Sequence, residues 1–68
     1  MSTAELYDEF AQMVRGEIIK IPRQEFRERC DEDDQFMYLH VARKIASQNR
    51  FTLNVDEDDL EFVCPPPT

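Results

Sequence analysis

The tetrapeptide Asp-Glu-Asp-Asp occurs twice in this chain, at Asp31, Glu32, Asp33, Asp34 and again at Asp56, Glu57, Asp58, Asp59. Carboxylates packed this closely suit three kinds of chemistry: a hard-cation site, a docking surface for a basic partner, or charge placed at the start of structural elements. Calcium fails on spacing. An EF-hand loop starting at Asp31 puts Phe36 at the sixth position, where glycine is needed, and Ala42 at the twelfth, where a bidentate Glu is needed. A loop starting at Asn54 puts Asp59 and Pro65 there. Zinc needs about four ligands, and Cys30, His40 and Cys64 with one carboxylate show neither a CxxC nor an HxxxH spacing. A nucleophilic cysteine needs a base beside it, yet His40 is the sole histidine and neither cysteine is near it in sequence. With one glycine in the chain there is no Gly-rich phosphate loop. The expectation is no catalytic site, no metal and no cofactor.

The elements that carry these acids must come from 68 residues, enough for one domain over residues 1–64 with a Pro-rich extended tail at 65–68. Hydrophobic residues make up 41%, too many for a disordered chain and enough for one small core. The net charge of -7 disfavours phosphate, since affinity for nucleic acid comes from Lys and Arg displacing counterions. It also disfavours anionic membranes, and no apolar run approaches the ~20 residues of a membrane span. The N-terminus "MSTAELYDEF" is acidic and unlike a signal or transit peptide, so the expected setting is cytoplasmic. Cys30 and Cys64 then read as free, partly buried thiols, with a single bridge as the alternative.

Ser2-Thr3-Ala4-Glu5 matches a capping box, and Leu6, Phe10, Met13 and Val14 recur at helical spacing. The pattern predicts a helix over about residues 3–15, closed by Gly16 as a left-handed cap. The β-branched run Ile18, Ile19, Ile21 up to Pro22 predicts a short strand or extended connector. "PRQEFRERC" predicts a short helix burying Phe26 and Cys30, with Arg23, Arg27 and Arg29 mostly outside and Glu25 and Glu28 as their partners. The first acid run lies just before the most apolar helix, about residues 34–48, where Asp31 or Asp33 caps and the other carboxylates sit at the positive end of the dipole. Phe51, Leu53, Val55 and then Leu60, Phe62, Cys64 alternate with other residues, which predicts a β-hairpin across the second run. The competing expectation makes Asp56 the cap of a short final helix. The fold class is thus a small, helix-rich α+β domain.

That order of helix, strand, helix, helix and hairpin resembles the order in winged-helix domains, a resemblance that implies a third helix entering the major groove. The charges depart from the family's usual chemistry. Both the hairpin tip, Asp56 to Asp59, and the start of the would-be reading helix, Asp33-Asp34, repel phosphate. Arg43, Lys44 and Arg50 form only a modest basic cluster. A nucleic-acid-binding regulator is therefore the alternative. The first expectation is a non-catalytic protein-binding regulator or inhibitor, of the kind that phages encode, occupying a basic or hydrophobic surface of a larger protein. On a helical wheel Tyr38, Leu39, Val41, Ala42, Ile45 and Ala46 share one face. Phe36, Met37, His40, Arg43 and Lys44 fall on the other. Either the first turn of this helix is buried on both sides within the domain, or these are the partner-binding residues, for a target or for a second copy in a homodimer. A further alternative, acidic mimicry of DNA, needs both acid runs on one face.

Overall fold

In the computed structural model, which describes residues 2–66, the chain runs α1 (Thr3–Ala11), β1 (Ile18–Pro22), α2 (Arg23–Arg29), a 3₁₀ helix (Glu32–Met37), α3 (Tyr38–Asn49), β2 (Thr52–Val55) and β3 (Asp59–Val63). This is the predicted α+β order. Pro65 and Pro66 of the expected tail follow β3 exposed and outside any strand, and Pro67 and Thr68 lie outside the described residues.

The strands form one antiparallel sheet in the order β1-β3-β2. The hairpin is present and the competing final helix is not. Val55 pairs with Leu60, so the second acid run is the connection, closed by the Asp56 N–H donating to the Asp59 carbonyl at 2.9 Å. Opposed residues share a face of the sheet. One face therefore carries Ile19, Phe62 and Leu53 in one row and Ile21, Leu60 and Val55 in the next. Leu60 and Phe62, on the central strand, are fully buried. Helices α1, α2 and α3 cover this face with Leu6, Phe10, Phe26, Val41, Ala42 and Ile45. At the centre Phe10 meets Phe62 edge-on at 4.6 Å between ring centroids, with Phe26 against both. Aromatic contacts of this geometry add about 0.5–1.5 kcal/mol each to the burial term.

The start of α1 follows its sequence: Ser2 Oγ accepts from the Glu5 N–H at 3.3 Å. Its end does not. The helix stops at Ala11, four residues short of the predicted end, and Val14 is 68% exposed rather than on the apolar face. Pairing beyond the helix claims the residues that follow. The Gly16 N–H donates to the Cys64 carbonyl and the Cys64 N–H to the Glu17 carbonyl, which extends the β1–β3 pairing back to Gly16. Gly16, at φ 88°, occupies the third position of a turn closed by Glu17 N–H to the Val14 carbonyl, a position that needs positive φ in a type II turn. It is a turn glycine and not a helix cap.

The predicted helix over 34–48 is two pieces. Met37, at φ -121° and ψ 31°, leaves helical geometry and separates the 3₁₀ helix from α3. Arg50 ends α3 in the left-handed region at φ 60°, and the Phe51 N–H reaches the Ala46 carbonyl at 2.8 Å. This is a Schellman-type end with arginine where glycine is usual. The radius of gyration, 11.3 Å, is close to the ~11 Å of a compact domain of this length, so the core closes within one chain.

Candidate functional site

The buried face of α3 fixes what its other side shows. Val41, Ala42, Ile45 and Ala46 are buried, with Tyr38 and Leu39 half-buried against the core. Residues three and four apart share a helix face, so His40, Arg43, Lys44 and Ser47 must point outward, and all are exposed. Ahead of them the 3₁₀ helix exposes Phe36, to 81%, and Met37, to 40%. The five residues expected to bind a partner thus lie on one exposed stretch of chain, although Phe36 and Met37 belong to the 3₁₀ helix and not to the first turn of α3. Phe36 is set apart from the other phenylalanines: Phe10, Phe26 and Phe62 are fully buried and Phe51 is half-buried against the core.

The first acid run does not cap as expected. Asp31, which precedes the 3₁₀ helix, makes no side-chain cap bond. A buried hydroxyl takes over instead. Thr3 Oγ1 accepts from the Asp31 N–H at 2.9 Å and donates to Asp34 Oδ2 at 2.7 Å, joining the first turn of α1 to the 3₁₀ helix. Thr3 is the one buried polar residue among those described. This leaves Glu32 and Asp33 exposed on the outside. The run also acts on its neighbours. Burial, and after it the Asp34 and Asp31 charges, push the Cys30 thiol up from its ordinary 9.0. Burial, then Asp34 and Cys30, push the Tyr7 phenol up from 10.0.

At the second run the chain is held by its backbone. Arg23 donates from Nη1 to the carbonyls of Asp56 and Glu57 at 3.3 and 3.2 Å, and from Nε to the Tyr38 hydroxyl at 3.0 Å. Its own N–H donates to the Asp58 carbonyl at 2.9 Å. Arg23 is therefore half-buried and engaged, where the sequence put it outside among Glu25 and Glu28. Arg29, also half-buried, pairs with Glu9 of α1. Asp56, Glu57 and Asp58 keep their side chains exposed, and Asp59 lies 4.0 Å from Lys20.

Cys30 and Cys64 are both free and buried, Cys30 with its thiol on the Phe26 carbonyl at 3.4 Å, whereas His40 is exposed. The three candidates for a zinc or Cys–His site thus face different surroundings. Among the described residues no three His, Cys, Asp or Glu side chains are grouped to hold a metal ion, and no helix is long and apolar enough to cross a membrane. Sequence reasoning missed Thr3, Arg23 and the Tyr38 hydroxyl, because each acts on residues far along the chain with no local pattern to mark it. The chain matches no family model, no curated protein and no solved structure.

Proposed function

We propose that this protein is a non-catalytic regulator or inhibitor that binds another protein through the face running from Phe36 and Met37 to His40, Arg43 and Lys44. The exposure of Phe36 carries the reading. Leaving a Phe side chain in water forgoes about 1.5–3 kcal/mol that burial would give. The chain buries its three core phenylalanines completely and leaves this one out, beside an exposed Met and Arg, residue types enriched where proteins meet. The partner this suits has an apolar pocket for Phe36. The test is affinity capture with cross-linking from the native host, using the wild type, Phe36→Ala with Met37→Ala, and Asp56→Asn with Asp58→Asn. A partner retained by the wild type and the acid-run variant but lost with the Phe36 variant supports the reading. If the Phe36 variant unfolds by circular dichroism, or keeps the same partner, the reading fails.

A second reading is nucleic-acid binding. One observation favours it: Gln35 to Val55 contains no acid, holds Arg43, Lys44 and Arg50, and includes the helix that the winged-helix order would use for reading. Arg15 lines the same cleft as Arg50. The net charge of -7 and the acidic hairpin tip oppose it. The expected outcome is no measurable binding of labelled duplex or single strands at physiological salt. Salt-sensitive binding lost with Arg43→Ala and Lys44→Ala would put this reading first. Mimicry of DNA draws less support, since Asp34 is engaged by Thr3 and Asp59 lies beside Lys20, so neither run offers four free carboxylates.

A further inference from the structure

We propose that the occupant of this face is a second copy of the chain, packed antiparallel across a two-fold axis near Tyr38, with Glu32 and Asp33 of each copy against Arg43 and Lys44 of the other. The inference rests on the reading that this face binds protein, and it puts a second copy in the place of a separate target there.

The order of residues along the stripe carries it. From the 3₁₀ helix into α3 the exposed positions are 32–33, 36–37, 40, 43–44 and 47–48, separated by inward-facing residues. Residues three apart eclipse in a 3₁₀ helix, so the exposed stripe follows Asp33 and Phe36 along one side of that helix and His40, Arg43, Lys44 and Ser47 along the outer side of α3. Its chemistry runs in one direction: two acids, two large apolar side chains, a histidine, then two bases. Among the described residues the side-chain ion pairs are Lys20–Asp59 and Arg29–Glu9, and Glu32, Asp33, Arg43 and Lys44 have no charged partner among them.

A two-fold contact is isologous: if residue i meets residue j, then j meets i. An axis at Tyr38 puts Glu32 opposite Lys44, Asp33 opposite Arg43 and Phe36 opposite His40. A parallel pairing would set acid against acid and base against base. The lengths agree as well. Asp33 lies five residues from the axis along a 3₁₀ helix, about 10 Å. Arg43 lies five residues along an α-helix, about 7.5 Å. An arginine side chain spans that difference. Phe36 and Met37 then supply the apolar centre, enclosed by the charge pairs. The net charge of -7 on each copy opposes association in general, which is why an ordered set of opposite charges must offset it locally.

Charge reversal tests this on the full chain, with molar mass read by light scattering over a concentration series and folding by circular dichroism. The wild type is expected to be a dimer. Glu32→Lys with Asp33→Lys makes the stripe basic throughout, and Arg43→Glu with Lys44→Glu makes it acidic throughout. Each variant alone should stay folded and dimerise at least about tenfold more weakly. Mixed in equal amounts, the two should recover a heterodimer, because every contact is then between opposite charges. Phe36→Ala should also reduce the wild-type dimer to monomer. A wild type that stays monomeric up to about 1 mM, where any dimer would be weaker than about 4 kcal/mol, overturns the proposal. So do reversed variants that remain dimeric or a mixture that does not associate. A monomeric wild type that still needs Phe36 to capture a target sinks this inference alone. A dimer that captures nothing sinks the target reading alone.

Discussion

The two Asp-Glu-Asp-Asp runs have one sequence and opposite relations to the fold. At Asp31–Asp34 a side chain is the structural element: Asp34 reaches inward to the Thr3 hydroxyl, which also receives the Asp31 N–H. At Asp56–Asp59 the backbone is the structural element: Arg23 gathers three consecutive carbonyls, and the carboxylates of Asp56, Glu57 and Asp58 stay outside. The difference lies in what faces each run. The first abuts the buried start of α1, where a polar side chain must find a partner. The second is the tip of a hairpin, where water solvates any side chain and only the turn's carbonyls approach the body of the protein. Identical residues are thus a cross-link in one place and a solvated surface in the other.

The comparison breaks most visibly at Thr3. Thr3→Val keeps the shape and removes the hydroxyl, leaving the Asp31 N–H and the Asp34 carboxylate without their partner. The expected loss is about 1–3 kcal/mol in urea unfolding. Asp34→Ala should cost a similar amount, and the double variant should cost less than the two singles added, since both remove one bond. Additive losses would mean that Thr3 and Asp34 contribute separately and that the link is not what holds the 3₁₀ helix to α1.

Arg23→Ala is the matching break at the second run. It removes the bonds to the Asp56 and Glu57 carbonyls and to the Tyr38 hydroxyl, while the Arg23 N–H bond to Asp58 survives. We expect about 1–2 kcal/mol, with faster amide exchange at Asp56–Asp59 than elsewhere in the sheet. Arg23→Lys should not restore it, since an ammonium lacks the planar fork that serves a hydroxyl and two carbonyls together. Full rescue by lysine would show that only the charge counts.

How much of this was legible in the sequence follows range. Leu6 and Phe10, the buried face of α3 and the hairpin across the second run all came from periodicity, because burial repeats every 3.6 or 2 residues along one element. Periodicity set Phe36 opposite the buried face of α3 and left open whether a second neighbour inside the domain covers it. The end of α1 differs from the periodic pattern because Cys64, just past β3, claims the backbone at Gly16 and Glu17. The break at Met37 had no breaker residue to announce it. Arg23 was read from its helix neighbours Glu25 and Glu28, but its partners stand 15 to 34 residues away. The same limit hid Thr3, 31 residues from Asp34. Local pattern reports which side of an element is buried, and it is silent on which polar groups meet across the core.

Alkaline pH sharpens the comparison further, since burial and, after it, the first run raise the pKa of buried Cys30 and half-buried Tyr7. The Cys30 thiol and Tyr7 phenol hold their protons more tightly in the folded state than in the unfolded chain. Their contribution to stability is complete below the ordinary values of 9.0 and 10.0 and is lost as pH rises through the higher folded ones. Unfolding midpoints should therefore fall between pH 8 and pH 11, and Asp34→Asn should soften the fall by removing one of the charges that opposes ionisation. Neutralising the second run should leave the slope unchanged. An Asp34→Asn protein with the wild-type slope would show that the Asp34 charge adds nothing to the shift that burial produces.

The smallest effect is expected at the tip itself. Asp56→Asn, Glu57→Gln and Asp58→Asn keep size and hydrogen bonding and remove three exposed charges. The backbone bonds that fix the turn do not involve these side chains: Arg23 grips carbonyls, and Asp56 closes the turn through its N–H and the Asp59 carbonyl. Surface substitutions of this kind fall within about 0.5 kcal/mol. The sign should be slightly stabilising at low salt, because neighbouring carboxylates repel in a chain already at -7, and it should vanish as salt screens them over about 10 Å at 0.1 M. A loss above about 1 kcal/mol would mean that the tip's side chains hold the turn after all, and the two runs would then share one role instead of dividing it.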